Sequence, residues 1–481
     1  MPSPISYPNL QCIVQYLEAN KRIELARRCP SIKTIEKLVP LRLEIFKMSD
    51  NVLRINETHY QLGVIQEFTD GRSFYGTNKI DGGWPDDLNE YGCEIATSNH
   101  ILTPGDIGIP PIEHNENVIN TEEQLEYLEK LDDELRNNRI TDDETKKQCE
   151  RISYSRRCQL NQEVPPCEMY ILLTIHLPDD SKKLEAVKYN KKLYQAMKYL
   201  TTQIFGGRKH VVYVNTFDIF FPSSNDNFGF VLRLPESLKF KISRLKINND
   251  VEQVMDSLSP ILDPRSFPLK EMKVIVTEGS YLPPRDPRSK FQNPWNHEHP
   301  AVQSAECLYI TTKWDECFPF ALNARNPKVR LDTSFFLRED ILGLIRKILE
   351  EGWRQDIFYS FGIDDKEYLF AAVEELTESY DTWIEKDDEE GEQCFIRIHI
   401  NTVTDLCIDF GPISEAVEPD EGHDDYDDDN EDEIRWMLKL YTGERKDPGV
   451  VEKVAIAVHK ARERFDDFKE SFWDAMRCFR R

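Results

Sequence analysis

The chain has 481 residues, room for roughly two to three domains, and 40% of them are hydrophobic, enough for a packed core. A net charge of −26 argues against sequence-independent nucleic-acid binding and against docking on anionic membranes, since both are driven by cations. No basic-then-apolar leader opens the chain and no apolar run reaches the ~20 residues of a membrane helix, so a soluble, intracellular protein, cytoplasmic or nuclear, is expected. In residues 1–40, Leu10, Ile13, Val14 and Leu17 recur at helical spacing and give a short helix one apolar face. Pro8 before it has its φ preset for a helix start. A second helix carries Ile23, Leu25 and Ala26 and must stop near Cys29, because Pro30 disfavours helix in the residue before it. So short a helical pair cannot build a core alone, and its apolar stripe must be buried on this chain or on a partner.

Residues 41–118 follow as a small β-meander and loops. Leu41–Phe46, Val52–Asn56 and Thr58–Ile65 are strand-sized, and the stretch from Thr69 to Asn117 reads as a long loop region. Residues 119–165 read as a charged helical connector, with one helix capped by Thr121 and another running through Cys149 toward Tyr154, closed by Pro165-Pro166. From Cys167 a strand begins with Met169, Ile171, Leu173 and Ile175. The spacing of Leu184, Val187, Leu193, Met197 and Leu200 predicts one helix from Lys182 to Phe205, ended by Gly206-Gly207.

Strand cores and helices then alternate through residue 445. Leu245–Ile247 precedes a helix Val251–Leu262, and Met272–Val276 precedes a Pro-rich loop. Leu308–Ile310 leads into a short helix, Val329–Leu331 into Glu339–Glu350, and Ile357–Ile363 into Lys366–Glu378. Such a period predicts an irregular leucine-rich-repeat-like body, with a compact α/β sheet as the alternative. The fold class is therefore α+β or α/β: helical head, meander, strand–helix body, acidic loop and terminal helix. Strands at Phe395–Ile400, Leu406–Phe410 and Trp436–Tyr441 close the body. Residues 415–433 hold twelve acidic side chains and read as a disordered, self-repelling loop. In residues 446–481, Val451, Val454, Val458, Phe465, Phe468, Phe472, Met476 and Phe479 trace one face of an amphipathic helix.

The chemistry in the chain is sparse. Eleven cysteines, an odd number with no C-x-x-C pair, read as free thiols in a reducing compartment. No nucleophile elbow or phosphate-cradling loop is present, so no enzyme, cofactor or catalytic residue is assigned. His297-Glu298-His299 lacks an identifiable third metal ligand. The acidic block fails as a calcium loop: counted from Asp425, the glycine position holds Asn430 and the closing glutamate position holds Trp436. Arg208 and Lys209 after the glycine pair offer cations to an acidic or phosphorylated peptide, or else are solvated charges beside a helix cap. Trp84, Trp295, Trp314 and Trp353 are anchors or packing residues, and Trp295 between Pro294 and the His-rich loop is the best exposed candidate.

The proline, apolar helix, turn, second helix and Arg-Cys end of the head resemble an F-box. Together with VPLRL, VLRINETHYQLG, TPGDI at Thr103–Ile107, YNKKLYQAMKYLTTQIFGGRK at Tyr189–Lys209, SLSPILDPRSFPLKEMKV and SFGIDD at Ser360–Asp365, the chain resembles the nematode F-box C-related proteins, which share a domain of unknown function. The resemblance implies an F-box-like head on a leucine-rich-repeat-like body. It implies a Skp-family adaptor bound by Pro8, Leu10, Ile13, Val14, Leu17 and Ile23, and a protein substrate recruited to a cullin–RING ubiquitin ligase. The competing expectation is a non-catalytic scaffold whose head packs on its own meander.

Overall fold

The computed structural model describes residues 7–49, 51–95, 101–112, 143–219, 228–248, 251–276, 299–312, 324–333, 338–351, 358–363, 382–386, 394–399, 404–412 and 436–444, with isolated positions at 130, 371, 374–376, 378 and 380. The chain is mixed α/β and divides into two units, Met1–Lys270 with Gly279–Ala301, and Glu271–Glu278 with Val302–Arg481. The acidic segment 415–433, the terminal helix expected at 446–481 and the helix expected from Thr121 lie outside the described residues, isolated position 130 apart.

The first unit opens with three helices, α1 Tyr7–Tyr16, α2 Ala19–Arg28 and α3 Pro30–Leu38, one more than the two expected. Pro30 ends α2 and also starts α3. Its missing N–H is one a helix leaves unpaired anyway, so proline fits the first turn. The expected meander follows as β1 Arg42–Met48, β2 Val52–Ile55 and β3 Thr58–Phe68, paired antiparallel in sequence order. Asn56, at φ 54°, makes the tight turn between β2 and β3, and its Oδ1 accepts from the Glu44 amide at 2.9 Å.

The segment after β3 is less of a loop than its composition suggests. Val64 and Trp84 exchange backbone bonds of 2.8 Å, so the chain doubles back on β3. A Cβ on Gly63 would lie 2.5 Å from the Gly82 carbonyl oxygen, and only glycine permits that approach. Further on, β4 Ile107–Ile112 pairs with β8 Phe228–Leu232, and α4 Asp143–Asn161 leads to β5 Cys167–His176.

The helix expected from Lys182 is corrected here. Lys182–Lys188 is a strand, β6, paired antiparallel to β5. The turn explains it: Asp180 adopts φ 59°, Leu177 N–H bonds the Ser181 carbonyl at 2.9 Å, and the Asp179 carboxylate accepts from Ser181. Helix α5 starts only at Leu193 and runs to Phe205, with Gly207 left-handed at φ 72° beyond its end. Then β7 Val212–Asp218 and β9 Phe240–Asn248 complete the sheet of this unit, in the order β9-β7-β1-β2-β3-β5-β6. Its parallel part, β1, β7 and β9, closes on Phe46, whose ring lies 5.6, 5.2 and 5.0 Å from Phe205, Phe217 and Phe240. Helix α6, Val251–Leu258, packs on β4 and β9 and stops four residues short of the expected end.

In the second unit β10 Glu271–Val276, β11 Cys307–Thr312, β12 Lys328–Thr333 and β13 Phe358–Ile363 lie side by side and parallel in sequence order. Helix α7 Pro300–Ser304 precedes β11, and α8 Arg338–Glu351 links β12 to β13. The strands β14 Thr382–Lys386, β15 Cys394–His399, β16 Thr404–Pro412 and β17 Trp436–Glu444 continue antiparallel in the order β13-β17-β16-β15-β14. Leu308, Ile310, Val329, Leu331, Ile345 and Phe361 are among its core. Strands β4, β7, β8 and β14 have no counterpart among the elements expected from the sequence, and β4 falls in the stretch expected to be loop.

Candidate interaction site

The three head helices bury one seam and leave another open. Val14 is 1% exposed, and Ala19, Ala26, Ile35 and Val39 are buried with it. On the outward side of α1, Ile13 is 46% and Tyr16 88% exposed and Cys12 is exposed, while Leu10, one turn before Val14, and Leu17, just past α1, are half-buried. Ile23 of α2 is also half-buried. The apolar stripe of α1 is therefore wider than the head's own core uses, and its outer half is what a partner would meet. Pro8 lies in α1, but its side chain falls outside the described residues.

The rest of the head is tied to the body. The Glu18 carboxylate caps α2 by accepting from the Asn20 and Lys21 amides at 2.7 and 3.1 Å, and it also accepts from Asn56 Nδ2 at 2.7 Å. Asn20 donates to the Ile55 carbonyl at 2.9 Å and accepts from the Tyr60 hydroxyl at 3.0 Å. Beneath α3, the buried Glu36 carboxylate takes Arg22 at 3.2 Å and Arg208 at 2.7 Å. Lys37 donates to the carbonyls of Gln203, at 2.8 Å, and Ile204, while Lys33 donates to the Gln203 side chain at 2.6 Å.

Cations outnumber the carboxylate at this place. The remainder is met by two helix ends: Arg22 also donates to the carbonyls of Glu36 and Val39 at the end of α3, and Arg208 to the Ile204 carbonyl at the end of α5. Burial lowers the pKa of Arg22 and Arg208, opposed by Glu36. Burial, then the charge of Arg208, pushes Lys37 down to about 7. Arg208 is therefore corrected as a peptide-binding candidate, because its guanidinium is 3% exposed and spent on Glu36. Lys209 beside it is exposed.

Helix α5 is held at two further points. At its start, Leu193 N–H donates to the buried Asp87 carboxylate at 2.8 Å, which also accepts from the Tyr189 hydroxyl at 2.6 Å. Further along, Lys198 reaches Asp106 at 2.7 Å, and the same carboxylate accepts from Arg233 at 3.0 Å and from the Thr103 hydroxyl and amide at 2.6 and 2.8 Å. Burial alone would raise the pKa of Asp106, but the bonds from Lys198 and Thr103 outweigh it and hold the pKa below the ordinary value. The TPGD turn singled out in the sequence is thus a staple between the 101–106 loop and α5.

With this geometry in view, one family model matches the chain. Residues 192–365 match a domain of unknown function, DUF3557. The DUF3557 segment runs from the residue before α5 to just past β13, so it supplies Arg208 to the Glu36 cluster and leaves the head outside. No curated protein and no solved structure matches the chain.

The other candidates separate cleanly. Trp295, Trp314, Trp353, His297 and Glu298 lie outside the described residues. Trp84 is packing, since the Arg151 guanidinium stacks 3.5 Å from its ring and bonds Glu94 at 2.9 Å. His299 Nδ1 accepts from the Ala301 amide at 3.2 Å, capping α7. Among the described residues no group of three His, Cys, Asp or Glu could hold a metal ion, and no helix is long and apolar enough to cross a membrane. Cys93, Cys158 and Cys407 are buried and not in disulfides.

Proposed function

We propose that the chain is an F-box-type, substrate-recruiting adaptor of a cullin–RING ubiquitin ligase, related to the nematode F-box C proteins. In this reading α1–α3 bind a Skp-family adaptor, and an irregular leucine-rich-repeat-like body presents a surface to a protein substrate. The observation that carries it is the split of α1 into a buried Val14 and an outward Ile13 and Tyr16. Exposed aromatic and branched side chains on a short helix, flanked by half-buried leucines, are what a partner groove takes as anchors. The parallel series β10 to β13, each strand beside its predecessor, supports the repeat-like body.

A second reading, a scaffold whose head has lost the adaptor, is favoured by one observation: Arg22, Glu36 and Arg208 bind the head to its own body. The two readings part on one measurement. Calorimetric titration of a purified Skp-family adaptor into the protein should show micromolar or tighter binding. The double change Leu10→Asp, Ile13→Asp should abolish it, because an unpaired carboxylate at an apolar contact costs several kcal/mol. His299→Ala should leave it unchanged. Absence of binding by the parent protein at micromolar concentration overturns the adaptor reading and leaves the scaffold.

A further inference from the structure

In a chain of net charge −26, residues 182–192 stand out, with five lysines against one glutamate. Most of that stretch is β6, hydrogen-bonded to β5 and, among the described residues, the last strand of its sheet with no strand on its other edge. Six of its seven residues are exposed, including Leu184 at 46% and Val187 at 60%, and Lys183 is half-buried. One face of β6 meets the head, through Lys183 with Glu24 at 3.0 Å and Glu185 with Arg27. The other face presents Lys182, Leu184, Ala186 and Lys188 in alternation, with Lys188 in a loose, exposed pair with Glu168 of β5 at 3.9 Å.

An open edge is a template for another strand, and its side chains decide which strand. A second copy of β6, added antiparallel about Glu185, would set Lys182 against Lys188 and Glu185 against Glu185. Like charges directly opposite are unfavourable. The same row of lysines suits a strand with acidic residues at those two places and an apolar residue opposite Leu184.

We propose that β6 is a docking edge for an extended acidic segment of a partner protein, which adds antiparallel as a further strand. In the partner's direction the segment reads acidic, x, small, x, apolar, x, acidic, so that the acids face Lys188 and Lys182. Backbone bonds supply the attachment and the two lysines its selectivity. The lysines act locally, because charges more than about 8 Å away are screened at physiological ionic strength. Only the biological meaning of this contact, a recruited substrate lying beside the head, rests on the adaptor reading above; the binding itself does not.

The test uses the full chain and a fluorescein-labelled peptide, Glu-Thr-Ser-Thr-Ile-Thr-Glu, followed by fluorescence anisotropy. Saturable binding is expected. It should fall at least tenfold in the Lys182→Glu, Lys188→Glu variant, and by a smaller factor in Lys182→Gln, Lys188→Gln. These positions are exposed, so thermal melting should not move. Two peptides N-methylated on alternate sets of amides separate strand addition from simple charge attraction: one set should abolish binding and the other should spare it. The Leu10→Asp, Ile13→Asp variant should bind the peptide as the parent does, whatever happens to the adaptor. The proposal is overturned if the parent protein does not bind the peptide, or if the charge reversal has no effect. Equal binding of both methylated peptides, or a dimer of the chain that forms through β6, overturns it as well.

Discussion

Glu36 and Asp106 are both buried carboxylates held between two cations, yet they do different work. Asp106 also accepts from a hydroxyl and a backbone amide of Thr103, three residues before it, and Lys198 spends a further bond on the Pro104 carbonyl at 2.7 Å. Its two cations come from farther off, Lys198 on α5 and Arg233 just after β8, 92 and 127 residues away. Glu36 faces Arg22 and Arg208 with Lys37 alongside, and carbonyls at two helix ends make up the balance. The first cluster fixes the 101–106 loop, with two bonds from its own turn sharing the carboxylate. The second joins parts of the chain that are 172 residues apart, and it does so with more positive charge than one carboxylate can answer.

That contrast predicts a ranking. Glu36→Ala should be the most damaging change, roughly 3–5 kcal/mol in urea unfolding, because it leaves two buried guanidiniums facing each other. Adding Arg208→Met to it should recover part of the loss, and a double change that is fully additive would show that the two residues are not coupled. Asp106→Asn should cost less, about 1.5–3 kcal/mol, since Thr103 retains an acceptor. If it costs more than Glu36→Ala, charge balance is not what distinguishes the clusters.

Acid sharpens the same comparison. The Asp106 pKa is lowered in the folded chain, so its contribution is present above the ordinary carboxylate pKa and is lost as pH falls through the folded value. The melting-temperature gap between the parent and Asp106→Asn should therefore narrow from pH 5 to pH 3. Lys37 gives a dependence of the opposite kind, on alkali rather than acid. With its folded pKa about 7 and its unfolded value higher, the unfolded chain binds more protons above pH 7, and stability rises with pH there. The slope is at most about 1.4 kcal/mol per pH unit, and Lys37→Met should remove it. An unchanged slope in that variant would place the titration elsewhere.

The sequence displays the turn around Asp106 and hides the partners of Glu36. TPGD and the two strands of VLRINETHYQLG are legible because their turn contacts are a few residues away and their turn chemistry is fixed by glycine and asparagine, while Lys198 and Arg233 on Asp106 are as hidden as Arg208. Nothing near Gly206-Gly207-Arg208 announces Glu36, so a free cation was the natural reading. The strand Lys182–Lys188 was hidden for another reason. Lys, Glu and Ala favour helix, and pairing with β5 overrides that preference. The Pro-Asp-Asp turn just before it was the available sign. Pro30 likewise marks both the end of one helix and the start of the next. The outward half of α1 could not be foreseen, because apolar periodicity shows which face is greasy but not how much of it the chain covers.

The position of α5 has a consequence for how this protein can be divided. The family match begins at residue 192, one residue before the first amide of the helix, which is capped by Asp87. Strand β7 inside the match is flanked by β1 outside it, and the rings of Phe205, Phe217 and Phe240 close on Phe46. A polypeptide cut at the match boundary would begin with an uncapped helix and a bare sheet edge, its aromatic cluster open on one side. What is recognisable between relatives and what can fold by itself are, in this chain, segments of different length.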